Sequence, residues 1–160
     1  DSVMAPWQGT DRPGCAVGLS HHGRVVLERA YGMADLESGV PMTPATVVHA
    51  ASVAKQFTAL AVLQLEREGK LSLDDDVRRW LPDLPAYYAG VTLRQLLTHT
   101  GGARDLFELL TLARGQLESA RITEADAMAI VRRQRALDFA PGSQYAYSNT
   151  GYLLAAKVVE

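Results

Sequence analysis

The stretch Ser52–Gly69, SVAKQFTALAVLQLEREG, reads as a helix that is apolar on nearly every side. Val53, Ala54, Phe57, Ala59, Leu60, Ala61, Val62, Leu63 and Leu65 leave no wide polar stripe, and a helix of that kind belongs in the middle of a domain. Gly69 follows where a left-handed residue would end it. The start is ambiguous. Ser52 and Lys55 stand three apart just where the apolar run begins, a spacing that puts both on one helix face. One reading makes Ser52 an N-cap and Lys55 a solvated residue of the first turn. The other makes Ser52 a nucleophile and Lys55, stripped of hydration by apolar neighbours, the base beside it. The free N–H groups and positive dipole end of the helix would then suit a developing oxyanion.

Outward from this helix the punctuation is local. Cys15–Ser20 and Arg24–Ala30 read as two short strands joined by a turn at His21-His22-Gly23. Tyr31–Pro44, with scattered Gly and Pro, reads as a long connection. Beyond the central helix, Asp74–Leu81 predicts a short amphipathic turn or two, stopped by Pro82. Thr92 with Gln95 forms a capping box for Leu93–Thr98, closed by Gly101-Gly102, and Thr123 with Asp126 repeats the device for a helix over Glu124–Arg135. Phe139–Gly142 reads as a turn, and Thr150–Glu160 as a further helix. Two strands followed only by helices is an unfinished inventory, because a lone hairpin is marginal in water.

Composition excludes more than it assigns. With 160 residues, 48% apolar content and 21% charge, the chain has the make-up of a globular domain with a real core. A formal charge of −2 offers no basic surface for nucleic acid, and no apolar run is long enough to span a bilayer. Cys15 is the single cysteine, so no internal disulfide can form. The first residue is Asp1 and no basic-plus-apolar leader follows it, as expected of a processed, engineered or excerpted chain.

A second group of residues could carry chemistry. Tyr147 and Asn149 lie two apart on what reads as an extended loop, where alternate side chains point the same way. A phenol can shuttle a proton if a cation lowers its pKa, and an amide can both donate to and accept from a substrate. Asn149 is the only asparagine in the sequence. The alternative is a plain turn, which Ser and Asn favour anyway.

Taken in order, Ser52-Val-Ala-Lys55 and Tyr147-Ser148-Asn149 resemble the serine β-lactamase and penicillin-binding superfamily. The likeness is to its branch of class C β-lactamases, D-alanyl-D-alanine carboxypeptidases and related esterases. The segments EGKLSLDDDV, TLRQLLTHTGG and FAPGSQYAYSNTGY resemble that family's connecting text, and the likeness runs from the AVGLSHHGRVV hairpin onward. The resemblance implies a β-lactamase-like α/β (α+β) sandwich of an antiparallel sheet and a helical region. Here it would be a single partial domain over 1–160, an N-terminal portion with the hairpin at about 15–30, the helical region at about 52–160 and further strands missing. It implies Ser52 as the acylated nucleophile, Lys55 as its activating partner, Tyr147 as proton shuttle and Asn149 as ligand of the substrate amide, with the first proton going to either Lys55 or Tyr147. The Ser52 backbone N–H would form half of an oxyanion hole.

No cofactor and no metal are implied, and the substrate would be a small-molecule or peptidyl acyl compound. Lactam, ester and D-Ala-D-Ala-type amide all remain open. So do two alternatives, a sensor acylated without turnover and a scaffold without chemistry. The resemblance favours a periplasmic or secreted location. The family's third motif, Lys-Thr-Gly or His-x-Gly on a strand lining the cleft, follows the tyrosine motif and is not in this sequence. The chain alone is therefore expected to be weakly active or inactive unless a second chain supplies strands. His99-Thr100-Gly101 matches His-x-Gly only literally, since it closes a helix and precedes Tyr147, and Gly101 stands where the family usually has serine. His99 reads as a structural residue.

Other features read blandly. His21-His22 is a turn, because no other ligand stands at metal spacing. Asp74-Asp75-Asp76 dresses a helix start, the rest of a calcium loop being absent. Arg132, Arg133 and Arg135 suit a helix C-terminus, and Cys15 reads as a small core residue.

Overall fold

The computed structural model describes residues 2–114 and 122–160. They form helices and two small antiparallel sheets, in two compact units, Asp1–Ala50 and Ala51–Glu160.

In the first unit a 3-10 turn, Ser2–Trp7, precedes strand β1 (Cys15–His21), which pairs antiparallel with β2 (Arg24–Tyr31). His22 and Gly23 both take positive φ, 48° and 74°, the backbone signs of the tight hairpin turn the sequence predicts. The register runs from Cys15 opposite Tyr31 to Leu19 opposite Leu27, then slips so that Ser20 faces Val25. A second pair, β3 (Met33–Asp35) and β4 (Val40–Pro41), lies where the sequence predicts only a connection. Strands this short carry no readable alternation. They are held by contacts distant in sequence: the Gly14 N–H donates to the Met33 carbonyl at 2.7 Å, and the Met33 N–H to the Arg12 carbonyl at 3.2 Å. Cys15 is half-buried, with a free thiol.

The second unit holds α1 (Lys55–Arg67), α2 (Val77–Trp80), α3 (Leu93–Leu97), α4 (Leu106–Arg114), α5 (Glu124–Arg133) and α6 (Asn149–Val159). Both predicted capping boxes form, at Thr92 with Gln95 and at Thr123 with Asp126. Asp76 caps α2 by accepting from the Arg78 N–H, while Asp74 and Asp75 pair with Arg94 and Arg79. Helices α1 and α3 pack on α6. The core is centred on Val62, Val77, Val91, Leu93, Leu96 and Leu154, none more than 1% exposed.

Four points depart from expectation. Ser52 does not cap α1: Ala51–Ala54 is a 3-10 turn, and the cap position is Ala54, whose side chain makes no cap hydrogen bond. Helix α1 is not buried all round. Val62 is sealed, but Phe57 is 67%, Leu60 52% and Leu63 45% exposed. An apolar stripe shows that a face can be buried, and only neighbouring elements decide whether it is. Helix α4 was not expected from the sequence, and α6 begins one residue early, at Asn149.

The segment after α3 positions the site. His99 has φ 59° and Gly102 φ 73°. A Cβ on Gly102 would lie 2.4 Å from the Phe139 carbonyl oxygen, so only glycine lets the two segments touch. Three hydrogen bonds then lace them together: Asp138 N–H to the Gly102 carbonyl (2.8 Å), Gly142 N–H to that of Thr100 (2.8 Å), and Ala146 N–H to that of His99 (3.0 Å). Tyr147 follows directly.

Candidate active site

Ser52 sits in the 3-10 turn that feeds α1, directly after Ala51, whose φ of 46° is a strained value for a residue with a Cβ. Its hydroxyl lies 2.6 Å from the Tyr147 hydroxyl, and Lys55 Nζ donates to it at 3.1 Å. Lys55 Nζ also donates to Asn149 Oδ1 at 2.8 Å, and the Tyr147 hydroxyl reaches the same oxygen at 3.4 Å. All four residues singled out in the sequence, Ser52, Lys55, Tyr147 and Asn149, therefore meet in one hydrogen-bonded cluster across more than ninety residues of chain. Ser52 and Tyr147 face solvent while Lys55 and Asn149 are half-buried, so the cluster is open on the serine side.

Local structure explains the placement. Ser148 has extended backbone and caps α6, its side chain accepting from the Gly151 N–H, which makes Asn149 the first helical residue. Gly151 fits because a Cβ there would come within 3.0 Å of the Leu96 carbonyl oxygen, where α6 crosses α3. Behind the loop, His99 Nδ1 accepts from the Ser148 N–H at 3.1 Å. The imidazole packs on Tyr147 with centroids 4.5 Å apart and on Tyr152 at 5.2 Å. His99 thus buttresses the tyrosine motif from behind and does not touch the serine cluster through a hydrogen bond.

The electrostatics follow from the cation. The hydrogen bond with Lys55, then that with Ser52, holds the Tyr147 phenol below its ordinary value. Lys55 Nζ also lies 4.9 Å from the Tyr147 ring centroid. Burial, reinforced by the Lys55 charge, lowers the His99 imidazole, while burial raises the Tyr152 phenol.

Sequence reasoning missed Asp105. It is 6% exposed and accepts from both nitrogens of Asn149, the backbone N–H at 2.5 Å and Nδ2 at 2.9 Å. A signal was present: Asp105 stands three residues before Glu108 at the head of the apolar run Leu106, Phe107, Leu109, Leu110, the pattern of a helix start. Among the described residues no group of three or more His, Cys, Asp or Glu side chains gathers to hold a metal, and no helix is long and apolar enough to cross a membrane.

The chain is similar to several known proteins. The chain is 36% identical to the esterase EstB of Burkholderia gladioli over 91% of its length, and 34% identical to a D-aminopeptidase of Brucella anthropi over 92%. It spans only 40% and 28% of those two relatives. The structure of an octameric penicillin-binding protein homologue from Pyrococcus abyssi superposes with a TM-score of 0.80 at 30% identity, covering 99% of this chain and 36% of that one. The Beta-lactamase family model matches residues 2–160. A fold shared with that homologue and a family match over almost every residue lead to one assignment: the chain belongs to the β-lactamase family.

Proposed function

We propose that the chain carries the acylating residues of a serine hydrolase, in which Ser52 attacks the carbonyl carbon of a lactam, an ester or a D-Ala-D-Ala-type amide. One observation carries this reading: Ser52 Oγ lies 2.6 Å from the Tyr147 oxygen and 3.1 Å from Lys55 Nζ. A serine hydroxyl is a weak nucleophile until a neighbouring base takes its proton. Tyr147, as the phenolate that its hydrogen bonds with Lys55 and Ser52 favour, accepts that proton as the Oγ–carbon bond forms and becomes the neutral phenol. The carbonyl π electrons move onto oxygen, where the Ser52 backbone N–H offers one donor. Tyr147 then returns the proton to the leaving nitrogen or oxygen, and the acyl group stays on Ser52 as an ester. Water, deprotonated by the same phenolate, attacks that ester, and Ser52 departs with the proton.

In this scheme Lys55 Nζ bridges Ser52 and Asn149. Asn149 uses one N–H of Nδ2 on Asp105 and has the second for the substrate amide. The helices and small antiparallel sheets match part of a β-lactamase-like fold.

Incubation with a labelled β-lactam followed by intact-mass measurement tests the reading. The expected result is a transient adduct that Ser52→Ala abolishes. A long-lived adduct identifies a sensor that holds the acyl group, and no adduct indicates a scaffold. Label retained in Ser52→Ala refutes Ser52 as the nucleophile.

A further inference from the structure

Asp105 serves two helices with its two carboxyl oxygens. Oδ1 accepts from the backbone N–H groups of Phe107 and Glu108 at 2.9 and 3.1 Å, which caps α4. Oδ2 accepts from the Asn149 backbone N–H at 2.5 Å and from Asn149 Nδ2 at 2.9 Å. A carboxylate only accepts, so the end of the Asn149 amide that faces Asp105 has to be nitrogen. The amide oxygen is thereby turned toward Lys55 Nζ, 2.8 Å away. From this geometry we infer that Asp105 is a positioning residue for acylation: it sets which end of Asn149 faces Lys55, and so holds the Lys55 amine between Ser52 and Tyr147. The inference rests on the reading of Ser52 as nucleophile.

The alternative orientation would set an NH2 group against Nζ. An ammonium would meet donor against donor and lose its Asn149 acceptor. A neutral amine would have its lone pair occupied. Lys55 cannot enforce the choice by itself, since an ammonium demands an acceptor but a neutral amine accepts either end. Tyr147 as a neutral phenol accepts either end too, since a hydroxyl both donates and accepts. Asp105 is the partner that keeps one orientation while protons move around it. The titratable and charged groups about the amide are Lys55 of α1, Asp105 ahead of α4, and Tyr147, with His99 and Tyr152 one ring layer behind.

Asp105→Ser separates the two tasks, because serine can still cap α4 but is too short to reach Asn149. In the full polypeptide carrying these residues, acylation of Ser52 by a labelled penicillin should slow by about 10- to 100-fold. The loss should fall on the maximal rate, not on half-saturation, and the acid limb of the pH profile should move upward. In an Asn149→Ala background the same substitution should add no more than about twofold, because the residue it acts through is gone. An unchanged rate in Asp105→Ser, or an equal loss in both backgrounds, overturns the inference. If Asp105→Ser does not fold, the isosteric Asp105→Asn enters the same comparison. The Asn149 side-chain amide resonances give a readout free of turnover. They should shift and exchange faster in the variant, and resonances that stay put refute the clamp. If wild-type Ser52 is never acylated the catalytic reading falls, and these resonances still decide the clamp.

Discussion

Replacing Lys55 with glutamine removes the one cation that three partners share, and the consequences can be worked from the distances. Nζ donates to Ser52 Oγ at 3.1 Å and to Asn149 Oδ1 at 2.8 Å, and lies 4.9 Å from the Tyr147 ring centroid. Hydrogen bonds involving a charged group contribute about 1.5–3 kcal/mol each. Two such bonds bear directly on the nucleophile and its orienting amide. Loss of a positioned acid–base partner slows a reaction by about 10²–10⁴-fold, and Lys55→Gln should fall in that range for acylation of Ser52. The direction with pH follows from the phenol. Lys55 is the largest cause of the lowered Tyr147 pKa, so without it the phenol titrates higher, and less phenolate is present at neutral pH. The acid limb of the rate profile should therefore move to higher pH, and raising the pH should restore part of the lost rate. Burst amplitude and rate with a p-nitrophenyl ester, followed across the pH range in wild type and variant, measure both effects. A variant that acylates at the wild-type rate, or whose deficit is the same at every pH, would refute the coupling of Lys55 to Tyr147.

Two further outcomes concern the scaffold. Leu154 is fully buried, at 0% exposure, in the core beneath the α6 turn that presents Asn149, so Leu154→Ala should cost about 2–5 kcal/mol of stability in denaturant unfolding. A loss below about 1 kcal/mol would mean the core collapses around the gap. Burial and the nearby Lys55 hold the His99 imidazole low, so the unfolded chain binds that proton more readily than the folded one. The contribution is complete above the ordinary histidine value of about 6.5 and declines as pH falls from there toward the lower folded value. His99→Asn keeps a left-handed backbone at φ 59° and an acceptor for the Ser148 N–H, and it should flatten the fall in Tm between about pH 7 and 5. An undiminished fall would place the titration elsewhere.

The parts legible in the sequence are those whose hydrogen bonds close within a few residues. The Thr92 and Thr123 capping boxes, the hairpin turn at His22-Gly23 and the short helices all depend on near neighbours, and each forms within a residue or two of expectation. The Lys55 and Ser52 pair was legible for the same reason, being one helical turn long. Asp105 was not, because its informative partner is Asn149, forty-four positions away. Nor was the exposed face of α1, since the residues Phe57, Leu60 and Leu63 are apolar whether or not anything covers them.

By itself, then, the sequence determined the local elements and the chemical types available, a serine, a lysine, a phenol and an amide at telling spacings. Only the tertiary structure decided what they are to one another. It removed the cap reading of Ser52, whose hydroxyl bonds to Tyr147 and Lys55 ahead of a helix that starts at Lys55. It also set the Asn149 amide between a buried carboxyl group and an amine. The physical reason is range: a helix cap is settled within one turn of chain, whereas a proton acceptor ninety-five residues away is settled by how α6 and its preceding loop pack on α1 and α3.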